Sequence, residues 1–321
     1  MNIGDRFVTK LLDTKFQSEN VYRGERVFTP NSRTIYGGEL MAQALMAASK
    51  TVPKGFRPNS LHCYFHDRSS VLEPNDYYVT KLRDGRSFCH RLVEAFPINK
   101  NPTDLSAPYF RMDCSFKTPE KDPASFLSPM PNIPSVEKLQ NFDSYLKSLD
   151  LDQLPSVPKT RVLQYQSFLA NSPIETVFCE PEHIFGLKSN VGGRLHSWMR
   201  LKETPSTSLH SYRDAFLAYL SDALLLWVAL TEPHHVSYLV TLNQSIWFHN
   251  PEIDLEPNEW VLCETRANYV GGALTLSYGD IWDEKGHLLA SMAQQGLMRT
   301  QQMTPVSSYT SMGELAKQVD K

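Results

Sequence analysis

The strongest constraint on the fold is a repeat within the chain. An aromatic residue followed by Phe-His, and then a Leu-Glu-Pro-Asn-acid turn, occurs in YFHDRSSVLEPNDYYV and again in WFHNPEIDLEPNEWVL. Phe65 and Phe248 are 183 positions apart, and so are Leu72 and Leu255. Shared composition would not keep both spacings equal, so the pattern indicates duplication of a unit of roughly 120 residues.

Each copy has one helical pattern followed by strand-like runs. In the first half, a helix is predicted over 39–50, and residues 59–118 are predicted to form an antiparallel meander. In the second half, a helix predicted over 212–230 precedes strand-like runs that reach residue 300. A sheet that covers a very apolar helix satisfies both elements, which favours an α+β unit that occurs twice.

The second helical pattern, YRDAFLAYLSDALLLWVAL, is apolar on almost every side and contains neither Gly nor Pro. Such a helix is normally buried inside a large protein. Asp222 lies in its middle, and a carboxylate taken out of water is costly unless it is paired or hydrogen-bonded. Either Asp222 has a function in the interior, or it faces a solvated edge or caps a break after Ser221.

Gly37 and Gly38 are a second candidate feature. Two consecutive glycines let the backbone approach another group closely, and at the start of a helix they expose N–H groups. Such N–H groups can bind an oxygen anion, which makes both glycines candidates for substrate binding. A tight structural turn is the alternative interpretation.

The chain is predicted to divide into an N-terminal unit (1–118), a linker region (119–160), a C-terminal unit (161–303) and a tail (304–321). The linker is predicted from five prolines and few large apolar residues in its first part. Apolar residues at helical spacing further predict an opening amphipathic helix over 2–16 and another over 135–149.

Composition argues against several classes of protein. A hydrophobic content of 41% and a formal net charge of −3 are ordinary for a globular protein and give no basic surface for nucleic acid. No apolar run reaches the ~18 residues that a membrane span needs, so no membrane partner is expected. The five cysteines are scattered without zinc spacing, and the N-terminus lacks a signal core. We therefore expect an intracellular, reducing compartment, no metal and no cofactor.

Six strings in order closely resemble the acyl-CoA thioesterase II family: IYGGELMAQAL, LHCYFH, LRDGRSF, YLSD, SIWFH and LLASMAQQGLMR. That family contains bacterial enzymes and the peroxisomal acyl-CoA thioesterases of eukaryotes. The resemblance covers about residues 25–118 and 196–300 and is poor over 119–195. It implies an α+β double hotdog fold, two tandem units that each wrap an antiparallel sheet around a long central helix.

The resemblance also implies an activity and a catalytic set. The family hydrolyses fatty acyl-CoA to a free fatty acid and CoA, using an Asp, a Thr or Ser, and a Gln. The matching residues here are Asp222, Thr241 and Gln294. These residue types suit the chemistry, because Asp can act as a base toward water, and Thr and Gln can hold that water. Backbone N–H groups at a helix start can stabilise the oxyanion.

Neighbouring residues offer alternatives within this set. Ser245 is close to Thr241, although Thr241 has the better spacing to the Trp-Phe-His triplet, and Gln295 is the rival of Gln294. In the first unit, Gln43 aligns with the catalytic Asp. The first unit is therefore expected to be a non-catalytic copy that completes the acyl pocket or the fold.

Other chemistries fit the sequence less well. A G-x-S-x-G elbow is absent, which disfavours a serine hydrolase of the α/β type. Hotdog enoyl-CoA hydratases resemble one another in an Asp followed five residues later by His, where this chain has Trp227. A Cys–His pair stays open, but Cys63 and Cys114 lie in strand-like runs typical of inert buried thiols. A non-catalytic acyl-CoA or fatty-acid binding module is the alternative from another functional class.

Three histidines are also candidates for chemistry, namely His62, His66 and His249. The repeat places His66 and His249 at matching positions. This symmetry favours a structural role for them beside the shared aromatic pair.

Location and assembly rest on the resemblance. The eukaryotic relatives imply peroxisomes, yet the last residues, Gln-Val-Asp-Lys, are not the S-K-L address, so the cytoplasm is the alternative. Hotdog sheets commonly associate through their edges, so a homodimer or a higher homo-oligomer is expected.

Overall fold

The computed structural model describes residues 2–26, 35–67, 73–98, 108–121, 126–189, 193–206, 208–230, 235–256 and 258–300. Its α-helices are α1 (Ile3–Arg6), α2 (Gly37–Ser49), α3 (Phe142–Ser148), α4 (Ser156–Asn171), α5 (Pro181–Ile184) and α6 (Arg213–Ser221). Its strands are β1 (Thr14–Ser18), β2 (Val21–Gly24), β3 (Arg57–Phe65), β4 (Asn75–Asp84), β5 (Phe88–Pro97), β6 (Phe110–Lys117), β7 (Ile174–Phe178), β8 (Arg194–Leu201), β9 (Val236–Phe248), β10 (Val261–Gly271), β11 (Leu274–Asp283) and β12 (Leu288–Thr300).

The described strands form one antiparallel sheet in the order β1-β2-β4-β5-β6-β3-β9-β12-β11-β10-β8-β7. The order β2-β4-β5-β6-β3 of the first half is matched by β8-β10-β11-β12-β9 of the second. The halves join where β3 pairs with β9, and there His62 lies opposite Ser245. These two residues are 183 positions apart, the repeat distance, so a pseudo-twofold axis passes between them.

The helices α2 and α6 pack against each other and against the inner face of the sheet. The α2 helix contacts strands of the first half, and α6 contacts β9, β11 and β12. The Tyr36 hydroxyl donates a hydrogen bond to the Tyr219 carbonyl at 2.9 Å. The predicted meander of the first half is wrong in one respect, because β3 pairs with β6 and not with β4. That position lets β3 form the junction with the second half.

The predicted continuous helix over 212–230 is also wrong. The α6 helix ends at Ser221, Asp222 is its C-cap, and only a 3₁₀ turn at Trp227–Ala229 follows. The Ser221 hydroxyl donates to the Ala218 carbonyl at 2.8 Å, an interaction that competes with the helical hydrogen-bond pattern. The break after Ser221, one of the alternatives that the sequence left open, is therefore present, and Asp222 at this break lines a cavity.

Two other helix predictions need correction. The opening helix predicted over 2–16 is limited to α1 and a π-helix at Phe7–Leu12, because the chain then enters β1. The Phe7 ring packs edge-on against Tyr219, which ties this segment to the central helices. The α2 helix begins at Gly37, two residues before the predicted start, so both glycines lie in its first turn.

The region predicted as a linker is packed against the molecule. Of the helix predicted over 135–149, only α3 and a 3₁₀ turn at Val136–Lys138 are present, and α4 begins inside the region. The segment around 130–139 packs on the outer face of the second half, where Trp198 donates from Nε1 to the Pro134 carbonyl at 3.1 Å. Trp198, Trp260 and Trp282 belong to a small second hydrophobic core, and this segment packs against it.

The predicted domain boundaries stay predictions, and the tail over 304–321 lies outside the described residues. The five cysteines are free thiols, four of them buried. None of the helices in the described stretches combines the length and apolar character needed to cross a membrane.

Candidate active site

A cavity of about 540 Å³ lies where the N-terminus of α2 meets the C-terminal end of α6. Both halves of the chain and α4 contribute to its walls. Aromatic rings from Tyr36, Phe65, Phe168 and Trp227 line it, and its surface is more apolar than polar. Asp222 is one of the few charged side chains in the lining. The pattern of an apolar cavity with a few convergent polar groups is typical of a ligand site.

The carboxylate of Asp222 is where the two halves meet. Its Oδ1 accepts a hydrogen bond from Gln294 Nε2 at 2.6 Å and lies 3.5 Å from the Thr241 hydroxyl. Its Oδ2 accepts from the Gly38 N–H at 3.1 Å. The three predicted catalytic residues and the predicted glycine pair are therefore brought together around one group.

Burial raises the pKa of Asp222 to about 6, although hydrogen bonds from Gln294, Gly38 and Thr241 act in the opposite direction. A carboxyl group with this pKa is ionised at neutral pH. It is also a stronger base than an ordinary Asp, and its perturbed pKa in a cavity is typical of a functional residue.

Thr241 reaches Asp222 because β9 is irregular. Strict alternation along β9 would place Thr241 on the same face as Ser245, the outer face of the sheet. The register between β12 and β9 shifts after Gln295, so that Gly296 lies opposite Thr241. Such a bulge re-aims side chains, and Thr241 lines the cavity as a result.

The rivals of Thr241 and Gln294 point elsewhere. Ser245 lies 2.8 Å from His62 Nδ1, across the junction of the two halves. Gln295 accepts a hydrogen bond from Asn243 at 2.9 Å, on the face of the strands opposite to Gln294. Neither contact involves the Asp222 carboxylate.

Gln294 lies behind Asp222 as seen from the cavity. Its side chain is 1% exposed, and its Nε2 donates to both Asp222 and Gln244. Its Oε1 is buried and has no hydrogen-bond partner among the described residues. The structure thus shows Gln294 in contact with the carboxylate, whereas the sequence predicted that it would hold the water directly.

Close packing leaves little space for a side chain at either glycine, and least at Gly38. A Cβ atom on Gly37 would lie 2.9 Å from Asp222 Oδ2, and a Cβ atom on Gly38 would lie 2.4 Å from the Tyr219 carbonyl oxygen. The N–H group of Gly38 is directed at the carboxylate. Gly37 lines the cavity, and its N–H group also interacts with the Asp222 carboxylate and lowers its pKa.

Of the histidines and cysteines considered from the sequence, only His66 lines the cavity. Its ring stacks on Tyr64. His249 lies 3.1 Å from Ser291, and burial lowers its pKa. Cys63 and Cys114 are buried, and burial raises the pKa of both thiols, which makes them poor nucleophiles. Within the described stretches, no cluster of metal-ligand side chains is arranged to hold an ion.

Gln43 in the first half makes only structural hydrogen bonds. It is fully buried, donates to the carbonyls of Leu11 and Glu25, and accepts from the Tyr77 hydroxyl. These partners leave Gln43 saturated and away from the cavity. This agrees with the prediction that the first unit is a non-catalytic copy, which stays a prediction.

Sequence reasoning missed Gln244 and Ser221. Gln244 lies directly opposite Gln294 in the sheet and donates from Nε2 to the Ser221 hydroxyl at 2.8 Å. Both residues are 1% exposed. The available signal was a glutamine at an inward position of a strand, which needs a buried partner.

Comparisons with known proteins identify the family of the chain. The chain matches the family models "Acyl-CoA thioesterase N-terminal domain" over residues 27–116 and "Acyl-CoA thioesterase C-terminal domain" over residues 151–298. It is 30% identical to acyl-coenzyme A thioesterase 8 of Mus musculus over 300 residues, covering 91% of this chain and 88% of that protein. It is 29% identical to acyl-CoA thioesterase 2 of Haemophilus influenzae, covering 87% and 92%. A relative in Saccharomyces cerevisiae, peroxisomal acyl-coenzyme A thioester hydrolase 1, is 24% identical over 314 residues, covering 83% and 86%.

Solved structures show the same fold. The acyl-CoA thioesterase II TesB2 of Mycobacterium marinum superposes with a TM-score of 0.66 at 24% identity, covering 95% of this chain and 99% of that one. A hot dog fold protein of Alicyclobacillus acidocaldarius gives a TM-score of 0.68 at 17% identity, covering 95% and 100%. The predicted α+β double hotdog fold is confirmed. The chain belongs to the acyl-CoA thioesterase family.

Proposed function

We propose that this protein hydrolyses fatty acyl-CoA thioesters to a free fatty acid and CoA, with Asp222 as the general base. The observation that carries the proposal is the Asp222 carboxylate, which lines an apolar cavity and has a pKa of about 6. An apolar cavity suits an acyl chain, and an ionised carboxylate beside it suits activation of water. The names of the similar proteins support the same substrate class.

In the proposed reaction, Asp222 takes a proton from a water molecule as the water oxygen attacks the thioester carbonyl carbon. The tetrahedral intermediate then collapses, the C–S bond breaks, and the proton passes from Asp222 to the CoA thiolate. Thr241 lies beside Asp222 in the cavity and orients the water. Its 3.5 Å distance is long, as catalytic contacts often are without substrate. No covalent intermediate is needed.

Gln294 and the start of α2 support the base in this proposal. Gln294 holds the carboxylate through Nε2, which fixes the direction of proton transfer. The N-terminus of α2 carries a partial positive charge, and Gly37 lines the cavity there. The Gly37 N–H group, which also interacts with Asp222, is our candidate for stabilising the oxyanion of the intermediate.

The test is thiol release from acyl-CoAs of short to very long chain length, by wild type and Asp222→Asn. We expect release by wild type and a loss of about 10²–10⁴ in kcat for Asp222→Asn, the range for removal of a general base. Asp113→Asn, the same change at an exposed position on the sheet, is the matched control and should keep full activity.

The alternative is a non-catalytic acyl-CoA or fatty-acid binding module. Tight binding of an acyl-CoA by wild type without any thiol release would favour it. Release by wild type and Asp222→Asn at equal rates would instead mean a hydrolase with another catalytic residue.

In this proposal, the wall of the cavity that α4 supplies limits the length of the acyl chain. Phe168 packs near the Tyr36 ring, with centroids 6.3 Å apart, and both rings line the cavity. Removal of the ring in Phe168→Ala would extend the cavity, so the same assay should show a preference for longer chains. Peroxisomal location and self-association stay predictions.

A further inference from the structure

The hydrogen bonds of the site continue beyond Gln294 into the protein. Gln294 Nε2 donates to Gln244 Oε1 at 2.8 Å, and Gln244 Nε2 donates to the Ser221 hydroxyl at 2.8 Å. The Ser221 hydroxyl donates in turn to the Ala218 carbonyl at 2.8 Å. The chain of contacts therefore runs from Asp222 through two glutamines to the end of α6, next to Asp222 in sequence.

The Ser221 end of this series of hydrogen bonds fixes which groups donate and which accept. A hydroxyl has one proton, and that of Ser221 is given to a backbone carbonyl, which can only accept. Ser221 must therefore accept from Gln244, so Gln244 presents Nε2 to Ser221 and Oε1 to Gln294. Gln294 can then meet Gln244 only with its Nε2 group, the same group that faces the carboxylate.

The opposite orientation of the Gln294 amide would place its oxygen against Asp222. Two acceptors would then face each other at 2.6 Å unless the carboxyl group carried a proton. The same rotation would also place Gln294 Oε1 against Gln244 Oε1, so that two acceptors would face each other there as well. The Oε1 atom of Gln294 cannot decide the orientation, because that side has no partner among the described residues.

We infer that Gln244 and Ser221 are positioning residues, which fix the amide of Gln294 as a donor to Asp222. The inference rests on the proposed function, in which ionised Asp222 is the base. Without the relay, the Gln294 amide is free to rotate, and the carboxylate loses a charge-assisted hydrogen bond that favours its ionised form. Neither residue touches the cavity, so substrate binding is expected to be unaffected.

The test uses the full chain with Gln244→Met, which keeps the approximate length of the side chain but removes the acceptor and the donor. We expect kcat to fall about 10- to 100-fold, as for a misplaced catalytic group, with KM for acyl-CoA changed less than twofold. We also expect the acidic limb of the pH–kcat profile to move to higher pH, because protonation of Asp222 becomes easier. A purely structural role would not move that limb.

Gln295→Met is the matched control, because it breaks an equivalent amide–amide contact between the same two strands on the opposite face. Ser221→Ala is the second variant and should show the same shift in a milder form, since it removes only the anchor of Gln244. It decides the question if Gln244→Met fails to fold.

Two outcomes overturn the inference. One is an unchanged kcat and pH limb in Gln244→Met and in Ser221→Ala. The other is an equal loss of kcat in Gln295→Met. Asp222→Asn is measured in parallel to separate the two proposals. If Asp222→Asn is inactive and Gln244→Met is normal, only the positioning role fails, whereas an active Asp222→Asn contradicts the proposed base itself.

Discussion

The two halves of the molecule have the same strand order but treat the polar residue of their central helix differently. In the first half, α2 runs on past Gln43, and this side chain is saturated by main-chain carbonyls and a tyrosine. In the second half, α6 ends at Ser221, and Asp222 lies at the edge of a cavity. A polar group buried in a continuous helix contributes to stability, whereas one placed at a break is accessible to a ligand.

The outer faces of the two halves differ as well. Residues around 130–139 cover the outer face of the second half and bury Trp198, Trp260 and Trp282. On β3 and β9, at the junction between the halves, Tyr64 and Trp247 are exposed. Both halves therefore keep the same strand order and a central helix, and within the described residues the segment around 130–139 packs on the second half.

The largest expected effect separates the roles of the two polar residues. Gln43→Met would leave two buried carbonyls and the Tyr77 hydroxyl without their partner, so we expect a loss of about 3 kcal/mol in the free energy of unfolding. Below its unfolding transition the variant should keep the kcat of wild type. Urea unfolding and thiol release measure the two quantities. A large loss of kcat at full stability would contradict the division of labour between the halves.

The contact between the two helices is tested by Gly38→Ala. The added Cβ would meet the Tyr219 carbonyl at 2.4 Å and would force α2 away from α6. We expect a loss of about 2 kcal/mol in stability, as for overpacking, together with reduced kcat because the N–H group moves away from Asp222. Ala47→Gly, a change in the buried part of the same helix, controls for the general effect of altering α2. Unchanged stability and activity in Gly38→Ala would mean that the close approach is not needed.

The pH dependence of kcat distinguishes Asp222 of the second half from Glu39, a buried acid of the first half. In the proposed mechanism Asp222 acts as a base only when it is ionised, so its contribution to kcat is present above its pKa of about 6 and is lost as the pH falls through that value. We expect kcat at pH 5 to be about tenfold below its plateau. Burial raises the pKa of Glu39 in α2 to about 7, against the effect of Arg26. Glu39→Gln should therefore leave the midpoint near 6, and a limb near 7 that disappears in this variant would assign the base to the first half.

The smallest expected effect concerns the outer faces. Trp198→Phe removes the hydrogen bond to the Pro134 carbonyl but keeps most of the apolar contact. We expect a loss of about 1 kcal/mol in stability without a change in kcat. Trp247→Phe, on the exposed outer face at the junction, should change stability by less. Equal effects of the two substitutions would show that the covering segment contributes nothing specific.

Much of this architecture was predictable from the sequence, because hydrophobic periodicity and spacing are local properties. The repeat, whose matching positions are 183 residues apart, predicted two equivalent units. The strand-like runs predicted most strands to within a few residues. The low polarity around Asp222 indicated either an acid with a function in the interior or one at a solvated edge or a break after Ser221. The resemblance to a family added Thr241 and Gln294, which periodicity alone would not have selected.

Other features were decided only by the tertiary structure. The contacts of the Asp222 carboxylate with Gly38 of α2 and Gln294 of β12 join segments that are distant in sequence. The bulge that turns Thr241 into the cavity depends on the register between β9 and β12, and the Gln244 relay depends on the same pairing. Periodicity reports which face of an element is buried, but it cannot report which polar groups from different elements meet there. The sequence thus determined by itself that an acid lies within a very apolar segment, and the packing of the two halves determined which groups that acid contacts.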